Sequence, residues 1–259
     1  MSAFEFDTAV SCADNGTWLG NVQQGWRTGE VPNGGYILAI AGRVLREALP
    51  HRDPLGVTAL YLAPTRLGPI ECRVEVLRSS RNNTHATVKM SQRGELKVQV
   101  TAIYTDLEAL QGEDWLVEPR PDIAPVAECE NAANSRLEYR QKIDVWLDST
   151  SNRYVREPDG SGELRGWIAH SDGAAPDLIS LLMFADGFPP PVFALKGPVA
   201  WVPSLEMSVQ IRAHPAPGPV QARLRSRYLT RGVVEADEEF WDSTGVLVAI
   251  CRQLMKVRY

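Results

Sequence analysis

Among the polar side chains of this sequence, Gln253 has the neighbours that constrain it most. The stretch Val246-Leu-Val-Ala-Ile-Cys-Arg-Gln-Leu-Met-Lys-Val-Arg258 follows the turn-forming residues Asp242-Ser-Thr-Gly245 and reads as one long strand. Side chains alternate faces along a strand. Leu247, Ala249, Cys251, Met255 and Val257 make the odd-numbered face apolar, and Gln253 is its single polar member. A buried amide left without a partner costs about 1–3 kcal/mol, so a polar group on a neighbouring element must answer it. That group is either plain backbone or a side chain whose placement matters for chemistry.

Asp186 closes the apolar run Asp177-Leu-Ile-Ser-Leu-Leu-Met-Phe-Ala-Asp186, which reads as a helix buried nearly all round. The macrodipole disfavours a negative charge at a helix C-terminus by about 0.3–1 kcal/mol. Burial acts in the same direction, so the pKa of Asp186 should rise, which makes it a better general base. The plainer reading is helix-end chemistry with Gly187 as the residue that stops the helix. Gly34 and Gly35 open another helix behind Asn33, a plausible N-cap. They are either ordinary helix-start glycines or a backbone N–H aimed at a developing oxyanion.

Three further sets weigh less. Arg223, Arg225 and Arg227 alternate on one strand face, as a solvated basic face or as contacts for phosphates. Ser204 shares the even-numbered face of its strand with Glu206, Ser208 and Gln210, opposite the apolar Leu205, Met207, Val209 and Ile211. Parity alone does not bring it to Gln253. His51, His85, His170 and His214 show no paired spacing.

Composition narrows the class. A formal charge of −5 argues against general nucleic-acid binding. The start MSAFEFDTAVS lacks a basic, apolar leader, and the longest apolar runs are too short to span a bilayer. The cysteines, Cys12, Cys72, Cys129 and Cys251, are scattered, without a CxxC pair or a nearby histidine. They suggest neither zinc nor a disulfide framework, and the expected compartment is a reducing cytoplasm. No GxGxxG, P-loop, HExxH or GxSxG sequence occurs. No metal or cofactor is expected.

The elements that position these residues come in two rounds. A helix from Asn33 to Ala48 precedes strand-like segments near 56–63, 69–80, 83–93 and 96–106. The Asp186 helix, starting at Ser171-Asp172-Gly-Ala-Ala-Pro176 with Pro176 in its first turn, precedes segments near 199–212, 219–229, 232–241 and 246–258. Residues 4–31 read as short strands and turns. Thr58-Ala-Leu-Tyr-Leu matches Ser204-Leu-Glu-Met-Ser, and Gly68-Pro69 matches Gly218-Pro219. Residues 107–135, acidic and proline-bearing, read as a linker outside both sheets. The layout is an α+β double hotdog: a first unit over 1–106, the linker, and a second unit over 136–259. Each is a long buried helix wrapped by an antiparallel sheet, and joining them covers a sheet edge.

On this layout, on the Thr-Gly-Val-Leu-Val-Ala core before Gln253, on Ser204-Leu-Glu-Met-Ser-Val and on Ala-Asp186, the chain resembles the acyl-CoA thioesterase II family of double-hotdog enzymes. The resemblance implies that Asp186, Ser204 and Gln253 hold and activate a water, with Gly34 and Gly35 at the oxyanion. It implies a cytoplasmic, homo-oligomeric hydrolase of lipid metabolism acting on acyl-CoA or a related acyl thioester. The arginines would then be candidates for the coenzyme phosphates. One alternative is a hotdog hydratase or dehydratase, which needs His170 or His85 facing a carboxylate across the units. Another is a scaffold that binds acyl thioesters without cleaving them.

Overall fold

The structure is a computed structural model that describes residues 1–132, 137–151, 157–199 and 201–258. The chain opens with a short helix, α1 (Ala3–Asp7), where strands and turns are expected. The cause is local: Ser2 and Glu5 form a capping box, each side chain bonding the other's backbone N–H. Then come β1 (Val10–Cys12), β2 (Trp18–Val22) and a separate ribbon of β3 (Arg27–Thr28) and β4 (Val31–Pro32). The long helix α2 (Gly34–Ala48) follows, then β5 (Asp53–Tyr61), β6 (Gly68–Ser79), β7 (Asn83–Gln92) and β8 (Glu95–Thr105).

The second round holds β9 (Glu130–Asn131), β10 (Ile143–Leu147), β11 (Glu163–His170), α3 (Leu178–Phe184) and α4 (Val192–Lys196). It ends with β12 (Ser204–Ile211), β13 (Val220–Arg225), β14 (Leu229–Thr230), β15 (Val233–Trp241) and β16 (Leu247–Lys256). The helix α3 starts later than the sequence suggests, and Pro176 stands ahead of it. Asp177 and Ser180 form a capping box, which fixes the first turn at Leu178.

The strands join in one antiparallel sheet in the order β1-β2-β6-β7-β8-β5-β12-β16-β15-β13-β11-β10-β9, with β14 on β15. The order is a mirror about the β5–β12 seam. There Leu60 pairs with Glu206 and Gly56 with Gln210, and the Thr58 and Ser208 hydroxyls meet at 2.9 Å at the centre. Each seam strand also carries a bulge against its other neighbour, between Pro54 and Gly56 in β5 and between Ser204 and Glu206 in β12. These landmarks set the true repeat: Pro54 corresponds to Ser204, Thr58 to Ser208 and Gly68 to Gly218. The sequence match of Thr58 with Ser204 is therefore out of step by four residues.

The helix α2 is buried on nearly every side within the first half of the sheet, and α3 packs against it. Two glycines permit that approach. A Cβ at Gly35 would lie 2.5 Å from the Met183 carbonyl oxygen, and one at Gly42 would lie 2.5 Å from Leu182 Cδ1. The connecting stretch lies over the outer side of β11 and β13: Gln221 Nε2 donates to Pro121 O at 2.8 Å and Trp167 Nε1 to Ala124 O at 2.9 Å. It does not stay wholly outside the sheet. Its residues 130–131 are β9, which pairs with β10 and so covers that strand's open edge.

Candidate active site

The C-terminal end of α3 meets the N-terminal end of α2, and the Asp186 side chain stands at that junction. The helix α3 closes with Asp186 N–H donating to Met183 O at 3.1 Å and Gly187 N–H to Phe184 O at 2.9 Å. That turn leaves the Asp186 carboxylate facing Gly34 and Gly35. Gly35 N–H donates to Asp186 Oδ2 at 3.1 Å, and Gln253 Nε2 donates to Asp186 Oδ1 at 3.1 Å. Gln253, 4% exposed, also donates to Ala185 O at 3.3 Å and approaches Met207 Sδ at 3.0 Å. The polar group that answers Gln253 on its apolar face is thus a carboxylate.

Asn33 locks the junction. Its Oδ1 accepts from Tyr36 N–H at 2.9 Å, capping α2, while its Nδ2 donates to the Asp186 backbone carbonyl at 2.8 Å. Tyr61, at the end of β5, donates its hydroxyl to Gly34 O at 2.9 Å. Burial raises the Asp186 pKa above the ordinary carboxylate range, opposed by the Gln253 amide and the Gly35 and Gly34 N–H groups. The carboxyl thus sits among donors at the positive end of α2, and burial outweighs them to increase its proton affinity.

Two expectations change in detail. The Gly35 N–H does not stand open for an oxyanion, because it is engaged by Asp186. Ser204 does not lie on the outer face with Glu206 and Ser208. The bulge makes Ser204 and Leu205 together take the place of one residue, so Ser204 sits opposite Met255, next to the Met207–Gln253 pair. Residues directly opposite in a ladder share a face, so Ser204 is on the Gln253 face. Among the described residues it makes no side-chain hydrogen bond to Asp186 or Gln253.

The arginines are committed elsewhere. Arg223 and Arg225 both pair with Glu239 and with Glu118 from the connecting stretch, and Arg227 pairs with Asp237. Arg225 and Arg227 border an open groove of about 700 Å³ with Arg252, Asp237 and Glu239. A phosphate there must displace carboxylates. His170 is buried, with Nε2 2.8 Å from Ser180 Oγ and its ring against Phe4 and Phe184. His85 lies in β7 opposite Arg78 and Ile103. The His170 ring nitrogen that is engaged meets a serine hydroxyl, not the carboxylate that a hydratase would require.

Sequence reasoning missed Tyr61, Tyr139 and Glu238. Burial and the Asp186 charge raise the pKa of both tyrosines. Glu238 is 4% exposed on β15 opposite Cys251, and burial, with Asp186 and Asp237 adding to it, holds its carboxyl well above the usual range. Its signal was in the strand pattern: Val234, Ala236, Glu238 and Phe240 share one face, and three of the four are apolar. Among the described residues no cluster of three or more His, Cys, Asp or Glu is placed to hold a metal ion. None of the described helices is long and apolar enough to cross a membrane.

Two family models cover most of the chain: an acyl-CoA thioesterase N-terminal domain over residues 22–105 and an acyl-CoA thioesterase C-terminal domain over residues 117–257. Among solved structures, a protein of Thermobifida fusca YX provisionally assigned as a thioesterase II is 25% identical, with a TM-score of 0.92 over 100% of this chain and 98% of that one. A hot dog fold protein of unknown function from Alicyclobacillus acidocaldarius is 23% identical, with a TM-score of 0.89 over 100% and 99%. The acyl-CoA thioesterase II TesB2 of Mycobacterium marinum is 15% identical, with a TM-score of 0.77 over 99% and 98%. No curated protein sequence matches. The fold is a double hotdog, as these neighbours and the mirrored sheet show.

Proposed function

This chain belongs to the acyl-CoA thioesterase family, and we propose that it hydrolyses an acyl-CoA thioester by direct attack of a water that Asp186 activates. The observation that carries this is the Asp186 carboxylate clamped between Gln253 and Gly35. The Oδ1 oxygen, which accepts from Gln253, keeps a lone pair for a water. The Gln253 side-chain oxygen takes no hydrogen bond among the described residues. It and the Ser204 hydroxyl orient that water.

As the water oxygen attacks the thioester carbon, its proton moves to Asp186 and negative charge appears on the carbonyl oxygen. Asp186 is then neutral. The oxyanion replaces it as the anion near the α2 N-terminus, whose positive end favours the developing charge. Collapse breaks the C–S bond, and the proton on Asp186 passes to the leaving thiolate. The products are the free acid and the thiol, and Asp186 returns as carboxylate. No covalent acyl-enzyme is needed.

The test is thiol release over a panel of acyl-CoAs with the parent and Asp186→Asn. Release by the parent with loss of at least 100-fold in a folded variant supports the reading. Tight acyl-CoA binding without release by the parent establishes the non-catalytic scaffold instead.

A further inference from the structure

We propose that Glu238 forms a subsite for a hydroxyl or oxo group carried on the substrate's acyl chain close to the thioester. This deepens the thioesterase reading and rests on it. Glu238 points to the same side of the sheet as Gln253: it pairs with Cys251, two residues along β16 from the pair between Ala236 and Gln253. Alternate residues of a strand stand about 7 Å apart, so the carboxyl is within reach of the first several carbons of an acyl group whose carbonyl lies at Asp186.

One oxygen of the carboxyl has no structural employment. Glu238 Oε2 is sealed from solvent and has no hydrogen-bond partner. The equivalent position in the first half is Val88, fully buried, opposite Val100 as Glu238 is opposite Cys251. The fold therefore packs well with an aliphatic side chain there, and the acid is an addition. A buried polar group without a partner is destabilising, and a ligand that supplies the partner recovers the loss.

The side of the thioester follows from burial. The coenzyme must extend to solvent, whereas Glu238 is enclosed, so it faces the acyl group. The class of substituent follows from charge. Burial, with the neighbouring Asp186 and Asp237 carboxylates adding to it, raises the Glu238 pKa well above its ordinary value; this favours the neutral acid, whose O–H suits a neutral acceptor oxygen.

The experiment compares kcat/KM for a 3-hydroxyacyl-CoA and the saturated acyl-CoA of equal length, in the parent, Glu238→Gln and Glu238→Leu. The parent should favour the hydroxylated substrate by about tenfold or more, the scale of one buried hydrogen bond. Glu238→Leu should erase that preference while melting no earlier, and Glu238→Gln, which still donates, should keep part of it. Equal ratios in the parent and Glu238→Leu overturn the subsite. If the parent releases no thiol from either substrate, the thioesterase reading falls. The ratio of calorimetric dissociation constants for the same two ligands then decides the subsite by the same criterion.

Discussion

The two halves of the molecule place different side chains on one lattice. The paired bulges and the central Thr58–Ser208 contact put Ala102 where the second half has Gln253, and Val88 where it has Glu238. Val100 stands for Cys251, and Pro54 for Ser204. On this face the first half is an apolar wall around a helix of 15 residues. The second half wraps a helix of 7 residues and carries an amide, a hydroxyl and a buried acid. What the first half brings to Asp186 is backbone: the α2 N-terminus at Gly34 and Gly35, fixed by Asn33. Duplication thus let one copy keep the packing while the other took on buried polar groups that cost stability.

The largest break in that asymmetry is Asp186→Asn. The amide is nearly isosteric, so melting should change little, but it cannot accept the water proton. Thiol release should fall by about 10²–10⁴, the range of a positioned general base. A variant with parental turnover leaves Asp186 as a helix terminus.

Next is Gln253→Ala, which installs the first half's residue. It removes the amide that holds Asp186 and, in the proposed mechanism, orients the water, so turnover should drop roughly 100-fold. Part of the clamp remains through Gly35, so the variant should still bind acyl-CoA in a calorimetric titration. Early melting with normal turnover of the folded fraction would reduce Gln253 to a structural amide.

How much of this was legible beforehand differs element by element. Gln253 was visible because strand parity isolates one polar residue on an apolar face, and Asp186 because a carboxylate at the end of a buried helix is badly placed for stability. The helix-and-strand order revealed the duplication. Ser204 was misplaced because parity counting assumes a regular ladder, and the bulge at Leu205 has no signature in residue type. The sequence leaves Gly35 either a helix-start glycine or an oxyanion donor, because the partner of its N–H lies in the other half, 151 residues away. Glu238 is legible by the same parity rule, since it shares a face with the apolar Val234, Ala236 and Phe240, although four charged residues between 235 and 239 dilute that signal.

The pH dependence sharpens the contrast between the two acids. Burial raises the Asp186 pKa, so kcat/KM should fall on acidification with a midpoint above the usual aspartate value of about 3.9. For stability the sign is the reverse of an ordinary ion pair. Glu238 holds its proton more tightly folded than unfolded, so its contribution falls as pH rises from its unfolded pKa toward its folded one. Glu238→Leu should therefore gain stability over the parent at neutral pH and lose that advantage below about pH 4, as seen in urea melts at the two values. A pH-independent difference would show that Glu238 has a partner that keeps its charge.

The smallest expected effect is that of Ser204→Ala, and it tests whether the bulge serves the site. Ser204 faces the Gln253 side only because β12 carries one extra residue there. In the first half the same bulge holds Pro54, which has no donor to offer. If Ser204 orients the attacking water, removing its hydroxyl deletes one hydrogen bond of about 0.5–1.5 kcal/mol, or up to about tenfold in turnover. Melting should stay within about 0.5 kcal/mol of the parent, because no hydrogen bond from this hydroxyl to the clamp is lost. Ser204→Thr keeps a hydroxyl and should restore most of the rate, whereas Ser204→Val, of similar shape without one, should match Ser204→Ala. Equal rates for the threonine and valine variants would make the inward turn of Ser204 a matter of packing alone, and would leave Asp186 and Gln253 as the water's only side-chain partners.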